Sequence, residues 1–178
     1  MEKAINILLA DDHLLVRNGI KSLLEEESYL HVIGEAANGQ EALDLAKKIQ
    51  PDLLIIDVRM PVMDGIEAVG HLKNYAPDTK AIVLSMHDSE EYILKSIKAG
   101  ASGYLLKDTG KSEFLKAIKT IYQGGKYFSG DISNVIVTNY LQNTVPKENP
   151  KSTIDNAAKL TRKEIEILHF ILSGMTNT

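Results

Sequence analysis

Five short apolar runs alternate with five amphipathic stretches over about the first 120 residues, and this change of period limits the chain to very few folds. Ile5–Ala10, His31–Ala36, Leu53–Asp57, Ala81–Ser85 and Ser102–Lys107 read as strands. The stretches Leu14–Glu26, Gln40–Ile49, Gly65–Tyr75, Glu90–Lys98 and Lys111–Tyr122 carry helical spacing, with Leu15, Val16, Ile20, Leu23 and Leu24 as the apolar set of the first. Their stops follow the usual chemistry: Pro51 and Pro77 after the second and third helices, Gly100 after the fourth, Gly124-Gly125 after the fifth.

Strands that alternate with helices imply parallel pairing through crossovers. Runs such as Leu53-Leu54-Ile55-Ile56 are apolar on both faces, as strands covered on both sides require. The expected fold is therefore α/β, a flavodoxin-like doubly wound sheet of five parallel strands in the order 2-1-3-4-5. Its site would lie at the carboxyl ends of strands 1 and 3. The expected domains are 1–125 for this unit, 126–158 for a linker with a short helix from Ser129-Gly130-Asp131 to about Leu141, and 159–178 for the start of a second, all-α unit. In the last segment Thr161 and Glu164 form a capping-box pair before Ile165, Leu168 and Leu172.

Composition removes several function classes. There is no Cys, which excludes disulfides, thiolate metal sites and a Cys nucleophile. No apolar run nears the roughly 20 residues of a membrane span, and the start lacks the longer apolar stretch of a secretory signal. A cytoplasmic protein with no membrane partner is expected. Lys and Arg number 20 against 24 for Asp and Glu, so the chain as a whole is not a basic nucleic-acid binder. The tail from 147 to 178 carries five cations, among them Arg162 and Lys163, against four acids, which reads as a solvated face.

The chemistry-bearing residues gather at strand ends. Asp11 and Asp12 end the first strand, Asp57 the third, Ser85 the fourth and Lys107 the fifth. Alone, each reads as a cap, a turn former or a surface cation. Together they line one edge of the expected sheet. Clustered carboxylates repel and resist ionising side by side. A divalent cation relieves that repulsion, and all-oxygen donors favour Mg²⁺, or Mn²⁺, over Zn²⁺. A cation, a hydroxyl and a metal around one Asp suit a phosphoryl group, with the Asp as nucleophile.

These residues also carry a resemblance. Leu8-Leu9-Ala10-Asp11-Asp12-His13, Ile55-Ile56-Asp57-Val58-Arg59-Met60-Pro61, Asp64-Gly65, Leu84-Ser85-Met86 and Gly103-Tyr104-Leu105-Leu106-Lys107 resemble the receiver domain of two-component response regulators over about residues 3 to 125. Leu160-Thr161-Arg162-Lys163-Glu164-Ile165-Glu166-Ile167-Leu168 and Gly174-Met175-Thr176-Asn177 resemble the opening of a NarL/LuxR (FixJ-type) helix-turn-helix. The resemblance implies that Asp57 accepts a phosphoryl group from a sensor histidine kinase. Asp12 would ligate Mg²⁺ directly, Asp11 mainly through water, with Asp57 and the Arg59 backbone carbonyl completing the protein ligands. Ser85 and Lys107 would bind phosphoryl oxygens. Ser85 and Tyr104 would form the switch, Tyr104 turning inward on activation. The output would be DNA binding by a homodimer through a complete C-terminal domain whose recognition helix lies beyond Thr178, so this chain alone is not expected to read DNA.

Some positions depart from the receiver pattern. Asp108, not Pro, follows Lys107, which leaves open whether that peptide is cis. Met86 is larger than the usual residue there and would restrict access to the phosphoryl group. His13 reads as a surface or capping residue rather than a ligand, and His31, His71 and His169 lack partners at ligand spacing. His87 suits a turn or a role in tuning hydrolysis. Tyr122, Tyr127, Phe128 and Tyr140 read as packing between the fifth helix and the segment after it. The alternative is a stand-alone receiver that acts through protein contacts without binding DNA. A phosphoester-hydrolysing enzyme is disfavoured, because Arg59 stands where a second Asp would serve as general acid. The only chemistry expected is turnover of the protein's own aspartyl phosphate.

Overall fold

The computed structural model describes residues 3–86 and 88–144, with side chains through 141. His87 and the expected helix-turn-helix from 159 onward lie outside the described residues. The elements are β1 Ile5–Ala10, α1 Leu14–Glu25, β2 Leu30–Ala36, α2 Gly39–Ile49, β3 Leu53–Asp57 and α3 Gly65–Tyr75. They continue with β4 Lys80–Ser85, α4 Glu90–Ala99, β5 Gly103–Leu106, α5 Lys111–Tyr122, β6 Tyr127–Phe128 and α6 Gly130–Thr144. All strand pairs are parallel, in the order β2-β1-β3-β4-β5-β6. The doubly wound class is as the sequence implied, with one strand more.

Alternate residues of each strand feed two cores. Ile7, Leu9, Ile55, Ile82 and Leu105 face α1 and α5, where Leu24, Phe114 and Ile118 close the layer. Leu8, Ile56, Val83 and Tyr104 face α2, α3 and α4, meeting Leu43, Leu72 and Ile93. That two-sided burial explains the unbroken apolar runs, since β3 has no solvent face.

Local chemistry sets the helix ends. The Asn38 side chain accepts from the Glu41 N–H at 2.9 Å, and the Glu41 carboxylate accepts from the Ala37 N–H at 2.9 Å. Asp64 caps α3 in the same way, accepting from the Glu67 N–H at 2.8 Å. Gly100 closes α4 at φ 103°, where a side chain would be strained. α1 is different: His13 at its N-cap makes no side-chain cap bond, and no acid sits in the first turn.

Three sequence expectations need correction. Leu15 is not on the buried face of α1 but 86% exposed. It lies nine residues from the buried Leu24, and at ~100° per residue that is the opposite side of the helix. The sheet has six strands, because Tyr127 and Phe128 pair with Gly103 and Tyr104. Two residues bounded by Gly124-Gly125 and Ser129 are too short to show a strand period. The helix expected to end near Leu141 runs to Thr144, three residues further along the segment expected as linker.

α6 is part of the folded unit. Ile132 is fully buried and Ile136 nearly so, in the same core as Ile93, Ala101 and Tyr104. Asn139 Nδ2 donates to Glu90 Oε1 on α4 at 2.7 Å. Ile132→Ala should therefore cost about 2–5 kcal/mol in urea denaturation. A loss under about 0.5 kcal/mol, the size of an ordinary surface change, would mean that α6 is not held on this core.

Candidate functional site

Strand register builds the site. Ala10 lies opposite Ile56, so Asp11 comes level with Asp57. Asp57 lies opposite Leu84, and Ser85 opposite Leu106. From β3 to β4 and from β4 to β5 the polar residue advances by one position, and Lys107 falls just past the end of β5 rather than within it. Its N–H still donates to the Ser85 carbonyl at 2.8 Å, which ties the two positions together. The loop after Asp57 is folded back by the Gly65 N–H donating to the Val58 carbonyl at 2.9 Å. A Cβ at Gly65 would collide with the Asp57 carbonyl, so only glycine permits this approach.

Asp11 and Asp57 are both buried, and Lys107 bridges them. Its Nζ lies 2.6 Å from Asp11 Oδ2 and 3.1 Å from Asp57 Oδ1. Asp12 is more open, with its side chain 30% exposed. His13 Nδ1 sits 2.9 Å from Asp12 Oδ1 and 3.5 Å from Asp11 Oδ1. Ligand atoms of Asp11, Asp12, His13 and Asp57 all fall within 4.8 Å of one another. The structure thus brings together Asp11, Asp12, Asp57 and Lys107, as the sequence suggested. It adds His13, whose ring is 67% exposed and flanks the acids from solvent.

Burial pushes the Asp57 carboxyl above its ordinary range. Lys107 opposes that shift, and the charges of Asp11 and Asp12 reinforce it. For Lys107, burial favours the neutral amine, but the hydrogen bond to Asp11 and the charge of Asp57 together outweigh it and raise its pKa. The ammonium is therefore secure, while Asp57 is held toward its protonated form.

Ser85 is buried at the end of β4. Tyr104 is fully buried, and its phenol shares a hydrogen bond with Ser85. Burial raises the Tyr104 pKa, against the effect of that bond. Register explains the contact: Tyr104 lies opposite Val83, so Ser85 is its diagonal neighbour on the same face. Arg59 lies exposed two residues past Asp57. Met86 is 69% exposed beside Ser85. No peptide bond among the described residues is cis, so Lys107–Asp108 is trans.

Arg17 went unnoticed in the sequence. Its Nη1 donates to the Asp11 backbone carbonyl at 2.6 Å and its Nε to Glu35 Oε2 at 3.0 Å. A cation six residues after an acid carries no motif of its own, and β2 must be in place before Glu35 meets it.

The response regulator receiver domain model matches residues 7–119. The chain belongs to the response regulator family. It is 34% identical to the transcriptional regulatory protein DegU of Brevibacillus brevis, over 99% of this chain and 78% of that protein. It is 35% identical to the oxygen regulatory protein NreC of Staphylococcus carnosus, over 97% of this chain and 79% of that one. A crystal structure of a LuxR-family two-component response regulator from Aurantimonas sp. SI85-9A1 superposes with a TM-score of 0.73 at 33% identity, covering 78% of this chain and 99% of that one. This is a NarL/LuxR-type response regulator of a two-component system, a signalling protein rather than a classical enzyme. Receiver domains of this family bind Mg²⁺ at an acidic pocket, and the Asp cluster here has the donors to hold one.

The raised pKa of Asp57 has a consequence for stability. An acid with a raised pKa in the fold favours folding most when protonated. That contribution is present below the ordinary Asp range and is lost as pH rises through the folded pKa. Asp57→Asn should therefore melt above wild type at neutral pH in chelator. The gap should close as pH falls toward about 4. Equal melting temperatures at every pH would show that burial of Asp57 carries no such strain.

Proposed function

We propose that this receiver takes a phosphoryl group on Asp57 from a histidine kinase, with Mg²⁺ bound, and that phosphorylation controls DNA binding by a C-terminal reader. The observation that carries the reading is the pairing of Asp57 and Asp11 across one ammonium, with Asp12 open beside them. The donors fit the metal: three carboxylates offer hard oxygen ligands. Both Asp11 carboxylate oxygens already accept, from the His13 N–H at 2.8 Å and from Lys107. That favours Asp12 and Asp57 as direct ligands and Asp11 as one acting through water, with the Arg59 carbonyl on the loop completing the set. When bound, Mg²⁺ would offset the acids' repulsion and the charge of the phosphoryl oxygens.

The chain's own residues carry the transfer. An Asp57 carboxylate oxygen attacks phosphorus, the P–N bond of the donor phosphohistidine breaks, and the leaving imidazole takes a proton from solvent. Lys107 and Ser85 bind phosphoryl oxygens, and burial of Asp57 keeps bulk water off the site. Ser85, drawn toward the phosphoryl group, shifts the hydrogen bond it shares with Tyr104. Tyr104 shares its core with Ile132 and Ile136, so the change reaches α6 directly. From α6 the chain leads toward residues 159–178, the opening of the proposed helix-turn-helix. The name of the relative DegU, a transcriptional regulatory protein, supports a transcriptional output. We place the active form as a cytoplasmic homodimer on DNA.

Intact mass after incubation with Mg²⁺ and acetyl phosphate tests the chemistry. One phosphoryl adduct is expected on wild type and none on Asp57→Asn. An adduct of equal yield on the variant would move the acceptor elsewhere. Absence of any adduct together with absence of Mg²⁺ binding would overturn the reading.

A further inference from the structure

Every polar atom of Asp11 is engaged. Its N–H donates to the Ala36 carbonyl at 3.1 Å, and its carboxylate accepts from the His13 N–H and from Lys107. Its carbonyl is held by Arg17 Nη1 at 2.6 Å. Arg17 also donates its own N–H to the His13 carbonyl at 3.0 Å. That second bond is the ordinary backbone bond of the first helical turn, and the hold on the Asp11 carbonyl is what the Arg17 side chain adds. The His13 ring lies 2.9 Å from Asp12 Oδ1 but makes no cap bond to the backbone, and the first turn of α1 holds no acid.

The guanidinium is itself held. Glu35 at the end of β2 accepts from Arg17 Nε through Oε2, and from Lys21 Nζ through Oε1 at 2.7 Å. The Arg17 side chain is only 15% exposed. A fork that bonds a carboxylate and a carbonyl together needs the planar guanidinium.

Resting on the reading of the acids as a Mg²⁺ site, we infer that Arg17 is a positioning residue that presents the Asp12 carboxylate by locking the Asp11–Asp12–His13 turn. Charge and geometry here predict opposite signs. A cation beside an acid cluster lowers affinity for another cation, so by charge alone its removal should tighten Mg²⁺ binding. Glu35, shared with Lys21, offsets part of that charge, and the fixed turn geometry is the larger effect in this inference.

The test is calorimetric titration of the full chain with Mg²⁺, beside amide exchange of His13 in the metal-free protein. Arg17→Gln should weaken Mg²⁺ binding about tenfold, the size seen when a group that orients a ligand is lost. His13, whose N–H bonds Asp11, should exchange faster in that variant. Arg17→Lys keeps the charge but not the fork, and should also weaken binding. Lys21→Met, which touches Glu35 but not the turn, should bind as wild type does. Tighter binding in Arg17→Gln would show a charge effect and overturn the inference. So would unchanged affinity in Arg17→Lys with unchanged His13 exchange. If wild type itself binds no Mg²⁺, the site reading fails first and this inference falls with it.

Discussion

One ammonium between two buried carboxylates organises this receiver. Lys107 joins Asp11 and Asp57 from a position 96 residues along the chain from Asp11. Two buried acids side by side are costly, and removing the ammonium between them would leave both uncompensated, a loss of about 3–5 kcal/mol for a buried charge without its partner. The compensation is incomplete here. Asp57 stays pushed toward its protonated form, while Lys107 stays firmly charged. A site held in that imbalance favours the arrival of further positive charge, which is the chemistry that the acid cluster suits.

The sheet makes this arrangement rigid. Parallel register steps the strand ends so that Asp11, Asp57, Ser85 and Lys107 fall along one edge. The two cores then clamp the strands from both faces. Tyr104 belongs to one of those cores and also bonds Ser85, so the edge and the interior share a residue. β6 and α6 extend that interior with Ile132 and Ile136. The edge and α6 are therefore joined through one close-packed interior.

Most of this was legible because it is periodic. Alternating apolar runs and amphipathic stretches identify parallel strands and crossovers, and polar residues at run ends mark the edge. The features that escaped had no period or depended on distant partners. Tyr127 and Phe128 form a strand too short to show alternation, and it exists because β5 offers an open edge. Leu15 passed as core because five apolar residues in one helix fit more than one face until the packing chooses. His13 reads as a surface residue, and it is exposed, yet its ring lies against two acids. Arg17 has no sequence signal, since its partners are a backbone carbonyl and a Glu on another strand.

The sequence by itself determined the α/β class, the alternation of strands and helices, and the presence of Asp11, Asp12, Asp57, Ser85 and Lys107 at or just past the strand ends. These come from local rules: hydrophobic period, caps, turn residues and the placement of polar groups at the ends of apolar runs. Only the tertiary structure decided which groups touch, how burial bears on Asp57, and how the turn that carries Asp12 is held. Those properties arise from distances between residues far apart in the chain and from burial. Hydrogen bonds and charges act across space, and their strength is set by a surrounding that exists only once the sheet has closed.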